Sequence, residues 1–175
     1  MKKLTKLFLI NFFLLISITH SFAEQKLVVV DMKFILNQSK AGKGAQDFLK
    51  KSFTNNQKKF TDLEANLKKE ESDLLSQKTV LTKQEYQKKA DELRKKVIDY
   101  QSQRRSSLDK ISTQRSKSRE ILLKKINPII KTYINENNIS LVIDKKYLLA
   151  GNNESDITKI VIEKLNKELP SIDLK

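Results

Sequence analysis

Residues 53–81 read FTNNQKKFTDLEANLKKEESDLLSQKTVL, and they decide the fold because large apolar side chains recur in them every seven residues. The repeated positions are Phe53, Phe60, Leu67, Leu74 and Leu81. A seven-residue apolar repeat sustained over several heptads indicates a coiled coil. The repeat lies inside residues 45–127, which contain no glycine and no proline. That composition is typical of long helices.

A reversal near residue 82 is expected to fold this region into a hairpin. Thr82-Lys83-Gln84-Glu85 has the T-x-x-E pattern of a capping box, which starts a new helix. Beyond it, a second apolar stripe runs from Tyr86 to Ile111 at three- and four-residue spacings. The predicted contacts are Leu74 with Ala90, Leu67 with Val97, and Phe53 with Ile111. One unbroken rod is the alternative.

Two short β-branched runs flank the helical region. KLVVVD occupies residues 26–31 and ISLVID occupies residues 139–144. Both predict strands, and their unbroken apolar character predicts burial on both faces. If the strands pair, the two ends of the hairpin lie side by side.

Shorter features complete the expected fold. Residues 32–38 predict one or two helical turns, residues 147–150 a third strand, and residues 155–170 a closing helix. Asn137-Asn138 predicts a helix stop, and Pro128 is expected to kink or restart the second arm. Gly42 and Gly44 are expected to loosen the entry to the first arm, whereas Asp31 and Asp144 are expected to cap the turns after the strands.

The predicted fold class is therefore α+β and predominantly helical. A long antiparallel coiled-coil hairpin, residues 45–127, is inserted in a small β-containing body made of residues 24–44 and 128–175. So small a body has a marginal core and leaves strand edges exposed, so we expect it to form an oligomer. The candidate oligomerisation residues are Leu27, Val28, Val29, Val30, Leu141, Val142 and Ile143.

Residues 1–23 predict a cleaved signal peptide. Three lysines precede an apolar run over residues 7–18, and small residues at Ser21 and Ala23 precede the cut before Glu24. An uncleaved membrane anchor is the alternative, but a spanning helix needs about 20 apolar residues. We therefore expect export from the cytoplasm.

Removal of the signal also removes His20, the only histidine, and the chain has no cysteine. These absences exclude catalysis by histidine or cysteine and most zinc sites. The remaining carboxylates are scattered along helices, and the chain lacks a glycine-rich phosphate loop. We therefore expect a protein that is not an enzyme and needs no cofactor or metal.

The net charge of +14 is concentrated on the arms. Residues 40–137 hold 24 Lys+Arg against 13 Asp+Glu, whereas residues 24–39 and 138–175 together hold 8 of each kind. A surface of one sign attracts anionic partners at long range, although a solvated rod explains any single lysine pair. The candidate binding residues are Lys68, Lys69, Leu75, Lys88, Lys89, Lys95, Lys96, Ile98, Arg104 and Arg105.

Three segments resemble the Skp/OmpH family of periplasmic chaperones. They are KLVVVDMKFILNQS at residues 26–39, NNISLVIDKKYLLAGNN at 137–153 and SDITKIVIEKLNKEL at 155–169. The lysine-rich middle is similar in length and character rather than in residue identity. The resemblance implies that residues 24–175 form one domain of this family.

The resemblance further implies a homotrimer whose body carries three helical arms around a cavity. It implies ATP-independent binding of unfolded outer-membrane proteins in the periplasm, which prevents their aggregation in transit. The residues themselves also allow a structural coiled-coil envelope protein that binds peptidoglycan or anionic lipid. An anionic membrane surface is a further expected contact, whereas export argues against a nucleic-acid partner.

Overall fold

The computed structural model describes residues 26–174, so the expected signal peptide lies outside the described residues. Two long helices, α2 (Lys40–Ser76) and α3 (Lys83–Glu136), pack against each other as an antiparallel hairpin. Two strands, β1 (Lys26–Val30) and β2 (Ile139–Asp144), form a small sheet at the base of the hairpin. The predicted fold class, a helical hairpin inserted in a small β-containing body, is confirmed.

The capping box at the start of α3 is present. Thr82 Oγ1 accepts a hydrogen bond from the Glu85 amide at 3.3 Å, and Glu85 Oε2 accepts one from the Thr82 amide at 3.0 Å. The hydrogen bonds from Thr82 also lower the pKa of the Glu85 carboxyl. The chain therefore reverses over residues 77–82, where the sequence predicts a turn.

Replacing Thr82 with alanine is expected to lower the free energy of unfolding by about 1 kcal/mol, because α3 loses the side chain that caps it. Urea denaturation followed by circular dichroism measures this change. Thr79→Ala is the matched control, since Thr79 is exposed in the same turn. Equal losses from the two substitutions would contradict a capping role for Thr82.

The register of the hairpin differs from the prediction near its base. Phe60 and Tyr100 meet edge to face, with ring centroids 5.9 Å apart. Nearer the body, Ile111 clusters with Ala45 and Leu49, and Phe53 is half-exposed. Ile111 therefore packs about one helical turn nearer the body than the predicted contact with Phe53, which itself stays a prediction. The aromatic pair fixes the register, because Leu49 lies as many residues before Phe60 as Ile111 lies after Tyr100.

The sheet pairs β1 with β2 in parallel, so the predicted strand pairing is confirmed. The expected burial on both faces is wrong for this single chain, since Leu27 and Leu141 are half-exposed. The expected third strand at residues 147–150 is also wrong. The Asp144 carboxylate accepts a hydrogen bond from the Lys146 amide at 3.2 Å, which turns the chain into a 3-10 helix, Lys145–Tyr147.

The core of the body lies where α3 meets the flanking helices α1 (Met32–Gln38) and α4 (Thr158–Glu168). Helix α3 runs through Pro128, so the expected restart is wrong. Ile126 and Ile129 are buried on either side of this proline and anchor the helix in the core. Asn138 then takes a left-handed conformation, with φ 51°, and the predicted helix stop is confirmed.

The corner between α1 and α2 is closely packed. The hydroxyl of buried Ser39 accepts a hydrogen bond from the Gly42 amide at 3.2 Å and caps α2. A Cβ at Gly42 would lie 2.1 Å from the carbonyl oxygen of Leu36. The expectation that Gly42 loosens the chain is therefore wrong. Gly42 lies within α2 and lets its backbone approach the backbone of Leu36 in α1 closely.

Asp156 joins the start of α4 to the end of β2. Its carboxylate accepts hydrogen bonds from the Thr158 amide and from Lys145 Nζ, each at 2.9 Å. The Thr158 hydroxyl accepts one from the Asp31 amide at 2.8 Å, while the Asp31 carboxylate caps α1. Partial burial raises the pKa of Asp156, but the hydrogen bonds from Lys145 and Thr158 outweigh it and hold that pKa below its usual 3.8.

This lowered pKa predicts a pH dependence of stability. The carboxylate stabilises the folded chain above its unfolded pKa, and that contribution is lost as the pH falls through the lower folded pKa. The unfolding free energies of the wild type and Asp156→Asn should therefore differ at neutral pH and converge as the pH falls below 3.8 and through the lowered pKa of the folded chain. Urea titrations across this range test the expectation. Asp99→Asn, on the exposed surface of α3, is the control. If the difference between the wild type and Asp156→Asn did not depend on pH, the expected role of the Asp156 carboxylate would be contradicted.

A C-terminal strap, residues 169–174, links the core to the base of the hairpin. Ile172 packs against both apolar clusters, and the buried Leu174 lies with Ala45, Leu49 and Ile111. The Gln114 side-chain amide donates a hydrogen bond to the Leu174 carbonyl. The strap therefore braces the hairpin where it leaves the body.

Candidate functional site

One seam of the hairpin is open and apolar, and we call it the apolar groove. It consists of two adjoining hollows with volumes of about 210 and 490 Å³. The first is lined by Phe53, Phe60, Tyr100, Arg104 and Leu108. The second is lined by Leu67, Leu74, Leu75, Arg94, Val97 and Gln101. The groove therefore follows the hairpin for much of the length of α2.

A polar contact divides the two hollows. The Tyr100 hydroxyl donates a hydrogen bond to the Glu64 carboxylate at 3.2 Å, and Lys68 Nζ lies 2.8 Å from the same carboxylate. The hydrogen bond from Lys68 is the largest cause of the lowered pKa of Glu64, which in turn raises the pKa of Lys68. Both groups therefore stay charged at neutral pH, and each offsets the charge of the other.

The opposite seam, which we call the polar seam, is closed by contacts between charged and polar side chains. Lys96 Nζ lies 2.6 Å from Glu70 Oε2, and Lys89 Nζ donates to Gln77 Oε1 at 2.8 Å. Asp73 and Glu92 border the same side. The two sides of the hairpin thus differ in chemistry: the groove has exposed apolar surface on either side of the Tyr100–Glu64 contact, whereas ionic and polar contacts close the polar seam.

The structure separates the candidate binding residues into several groups. Lys68, Leu75 and Arg104 line the apolar groove, and Arg105 lines an adjoining hollow. Lys89 and Lys96 belong to the polar seam. The other candidates are exposed and lie outside both seams among the residues described: Lys69, Lys88, Lys95 and Ile98.

Sequence reasoning missed part of the groove. It assigned Tyr100 and Leu108 to the buried stripe and did not single out Arg94. In the structure Phe53, Leu75 and Leu108 keep 48%, 58% and 45% of their surfaces exposed. The sequence did carry a signal for these residues. A second stripe with a seven-residue repeat lies beside the apolar stripe and consists of Arg94, Gln101 and Leu108.

The candidate oligomerisation residues differ in exposure. Val28, Val29 and Val30 are buried within the chain, and Val142 and Ile143 are partly buried. Leu27 and Leu141 are neighbours in the sheet and are half-exposed. Tyr147 and Leu149, close behind in the chain, are more exposed still. The body therefore presents a set of uncovered apolar side chains.

No cluster of histidine, cysteine, aspartate or glutamate within residues 26–174 is suited to hold a metal ion. None of the helices in this range combines the length and apolar character needed to cross a membrane.

Comparison with known proteins identifies the family. The model of the OmpH-like outer membrane protein family matches residues 26–165. A search of curated protein sequences gives no match. A crystal structure of a candidate outer membrane chaperone (OmpH-like) from Caulobacter crescentus is similar, with a TM-score of 0.77 and 19% identity over 89% of this chain and 92% of that one. That likeness shows a shared fold, and the family match shows that the chain belongs to the OmpH-like family.

Proposed function

We propose that this chain is an ATP-independent holdase chaperone of the periplasm. It binds unfolded outer-membrane proteins and prevents their aggregation in transit to the outer membrane, without catalysing a reaction. The observation that carries the proposal is the apolar groove, which lies on a hairpin holding the excess positive charge of the chain. Membership of the OmpH-like family supports it, as does the description of the Caulobacter protein as a chaperone.

The groove and the charge have complementary roles in this function. The net positive arms attract acidic unfolded chains over distances of about a Debye length, roughly 8 Å at physiological salt. Partly exposed apolar residues such as Phe53 and Leu75 then make weak, non-specific contacts. Many such weak contacts together hold a client, and the client leaves when it folds into the membrane.

The proposal includes a homotrimer formed through the body. The half-exposed neighbours Leu27 and Leu141, together with Tyr147 and Leu149, supply the apolar surface that a partner would cover. Three hairpins on one body would enclose a cavity and bind one client at several points, which raises the overall affinity. Sedimentation should give the mass of a trimer, and Leu27→Asp combined with Leu141→Asp should give monomers.

The direct test of the function is light scattering from an outer-membrane β-barrel protein diluted out of urea. The purified protein should suppress aggregation at one trimer per client, and added salt should weaken this suppression. Unchanged aggregation would contradict the holdase function. Suppression that does not depend on salt would instead show that apolar contacts alone capture the client.

A structural role at the envelope, with anionic lipid as the partner, is the second candidate. The observation in its favour is the tip of the hairpin, where the highly exposed Val80 lies between Lys78 and Lys83. Co-sedimentation with phosphatidylglycerol vesicles, together with a monomeric or dimeric mass and no effect on aggregation, would favour this role over the chaperone.

A further inference from the structure

We propose that the apolar groove is the side of each hairpin that faces the client, and that it holds one extended client segment in which apolar and acidic residues alternate. The polar seam then faces away from the client. This inference rests on the proposed holdase function and assigns its binding surface.

The two seams differ in how far their side chains already contact each other. Three partly exposed side chains border the groove, where a client side chain can reach them: Phe53, Leu75 and Leu108. On the polar seam, Lys89 and Lys96 already bond to side chains of α2. A client would have to break those contacts there, whereas in the groove it mainly covers the exposed apolar surface on either side of the Tyr100–Glu64 contact.

The length of the groove matches that of one extended strand. From Phe53 to Leu75 the helix rises by about 33 Å, at 1.5 Å per residue. An extended chain rises about 3.3 Å per residue, so about ten client residues span this distance. A membrane-spanning β-strand has about 9–11 residues, and its side chains alternate between two faces. One strand of an unfolded β-barrel therefore fits the groove with its apolar face inward.

The two edges of the groove differ in charge. On the α3 side, Arg94 lines the groove but forms an ion pair with Asp91 at 2.9 Å. Arg104 also lines the groove, and Arg105 borders the adjoining hollow with Asp109. On the α2 side, Lys68 already neutralises Glu64, and Glu71 adds a further negative charge. The positive edge of the groove therefore belongs to α3. Acidic residues on the outward face of a bound strand would lie along this edge.

Site-specific cross-linking tests the assignment directly. The chain has no cysteine, so single-cysteine variants carry one label each. Gln101→Cys places a benzophenone label in the groove, and Glu92→Cys places the same label on the polar seam of the same helix. With an unfolded eight-stranded outer-membrane β-barrel as the probe, the label at position 101 should give severalfold more cross-linked client. Equal yields, or more cross-linking from position 92, would overturn the inference.

Binding measurements separate this inference from the proposed function. Leu75→Ser combined with Leu108→Ser should weaken client binding about tenfold, because two apolar contacts are lost. Val80→Ser, at the exposed tip, is the control and should bind as the wild type does. If the wild type suppresses aggregation but the double variant binds equally well, only the groove assignment fails. If the wild type does not suppress aggregation, both the holdase function and the groove assignment fail.

Competing peptides test the nature of the occupant. A peptide of about ten residues in which leucine and glutamate alternate should displace the β-barrel from the groove. A peptide of the same composition with its leucines in one block should displace it less well. Equal competition by the two peptides would overturn the claim that the groove selects an extended, alternating segment.

Discussion

Replacing Gly42 with alanine is expected to lower the free energy of unfolding by about 3 kcal/mol. The new Cβ would lie 2.1 Å from the carbonyl oxygen of Leu36 and 2.9 Å from its carbonyl carbon. Both are backbone atoms, so a rotamer change cannot relieve the overlap and α1 must move relative to α2. Such a movement would also disturb the hydrogen bond from the Gly42 amide to the Ser39 hydroxyl. Urea denaturation at a fixed protein concentration measures the loss.

Gly44→Ala is the matched control for this substitution. Among the described atoms, none would lie within 4 Å of a Cβ at Gly44, in the same turn of the same helix. Alanine should therefore stabilise the chain there by about 0.5–1 kcal/mol, since it favours the helix and restricts the unfolded state. Similar effects of the two substitutions would show that the corner is not closely packed.

Deleting residues 171–175 is expected to destabilise the base of the hairpin by about 3 kcal/mol. The deletion removes Ile172 and Leu174 and uncovers Leu49 and Ile111. Because α3 remains anchored in the core by Ile126, the loss should be local to the base rather than global. Amide hydrogen exchange should therefore accelerate roughly a hundredfold around Leu49 and Ile111.

Exchange around Ala90, in the distal half of the hairpin, should be unchanged by the same deletion. Ser171→Ala in the full-length chain is the control, since Ser171 is exposed within the strap. Unchanged exchange at the base, or acceleration throughout the hairpin, would contradict the bracing role. The strap lies beyond residues 26–165, the part that the family model matches, so the test examines a feature outside the family match.

Elements that depend on local spacing could be predicted from the sequence. The heptads from Phe53 and the capping box at Thr82 predicted the hairpin, because both signals depend on residues within one or two turns. The third strand was wrong because a local turn, which the apolar run does not reveal, ends the extended chain after β2. The restart at Pro128 was wrong because contacts in the core of the body decide it. Asp144 turns the chain after β2, and the buried neighbours of Pro128 hold α3 in one piece.

The candidate site could be predicted in part. Charge counting indicated the basic arms, and the sequence singled out Leu75 and Arg104, which line the groove. The sequence could not show that Lys68 and Lys96 lie on opposite seams of the hairpin, because this assignment requires the register of the two helices. That register follows from the Phe60–Tyr100 contact, which a heptad pattern does not specify.

The parallel pairing of β1 with β2 has a consequence for the order of folding. The entire hairpin intervenes between Val30 and Ile139, so the sheet cannot form until almost the whole chain is available. Contacts between the two helices can form first at the turn and then progressively farther from it, so each new contact closes only a short loop. Folding through such local contacts is fast. Once the hairpin has closed, it holds the two strand segments together and spares the sheet the entropic cost of a long loop. We therefore expect the hairpin to fold first and the body to fold last.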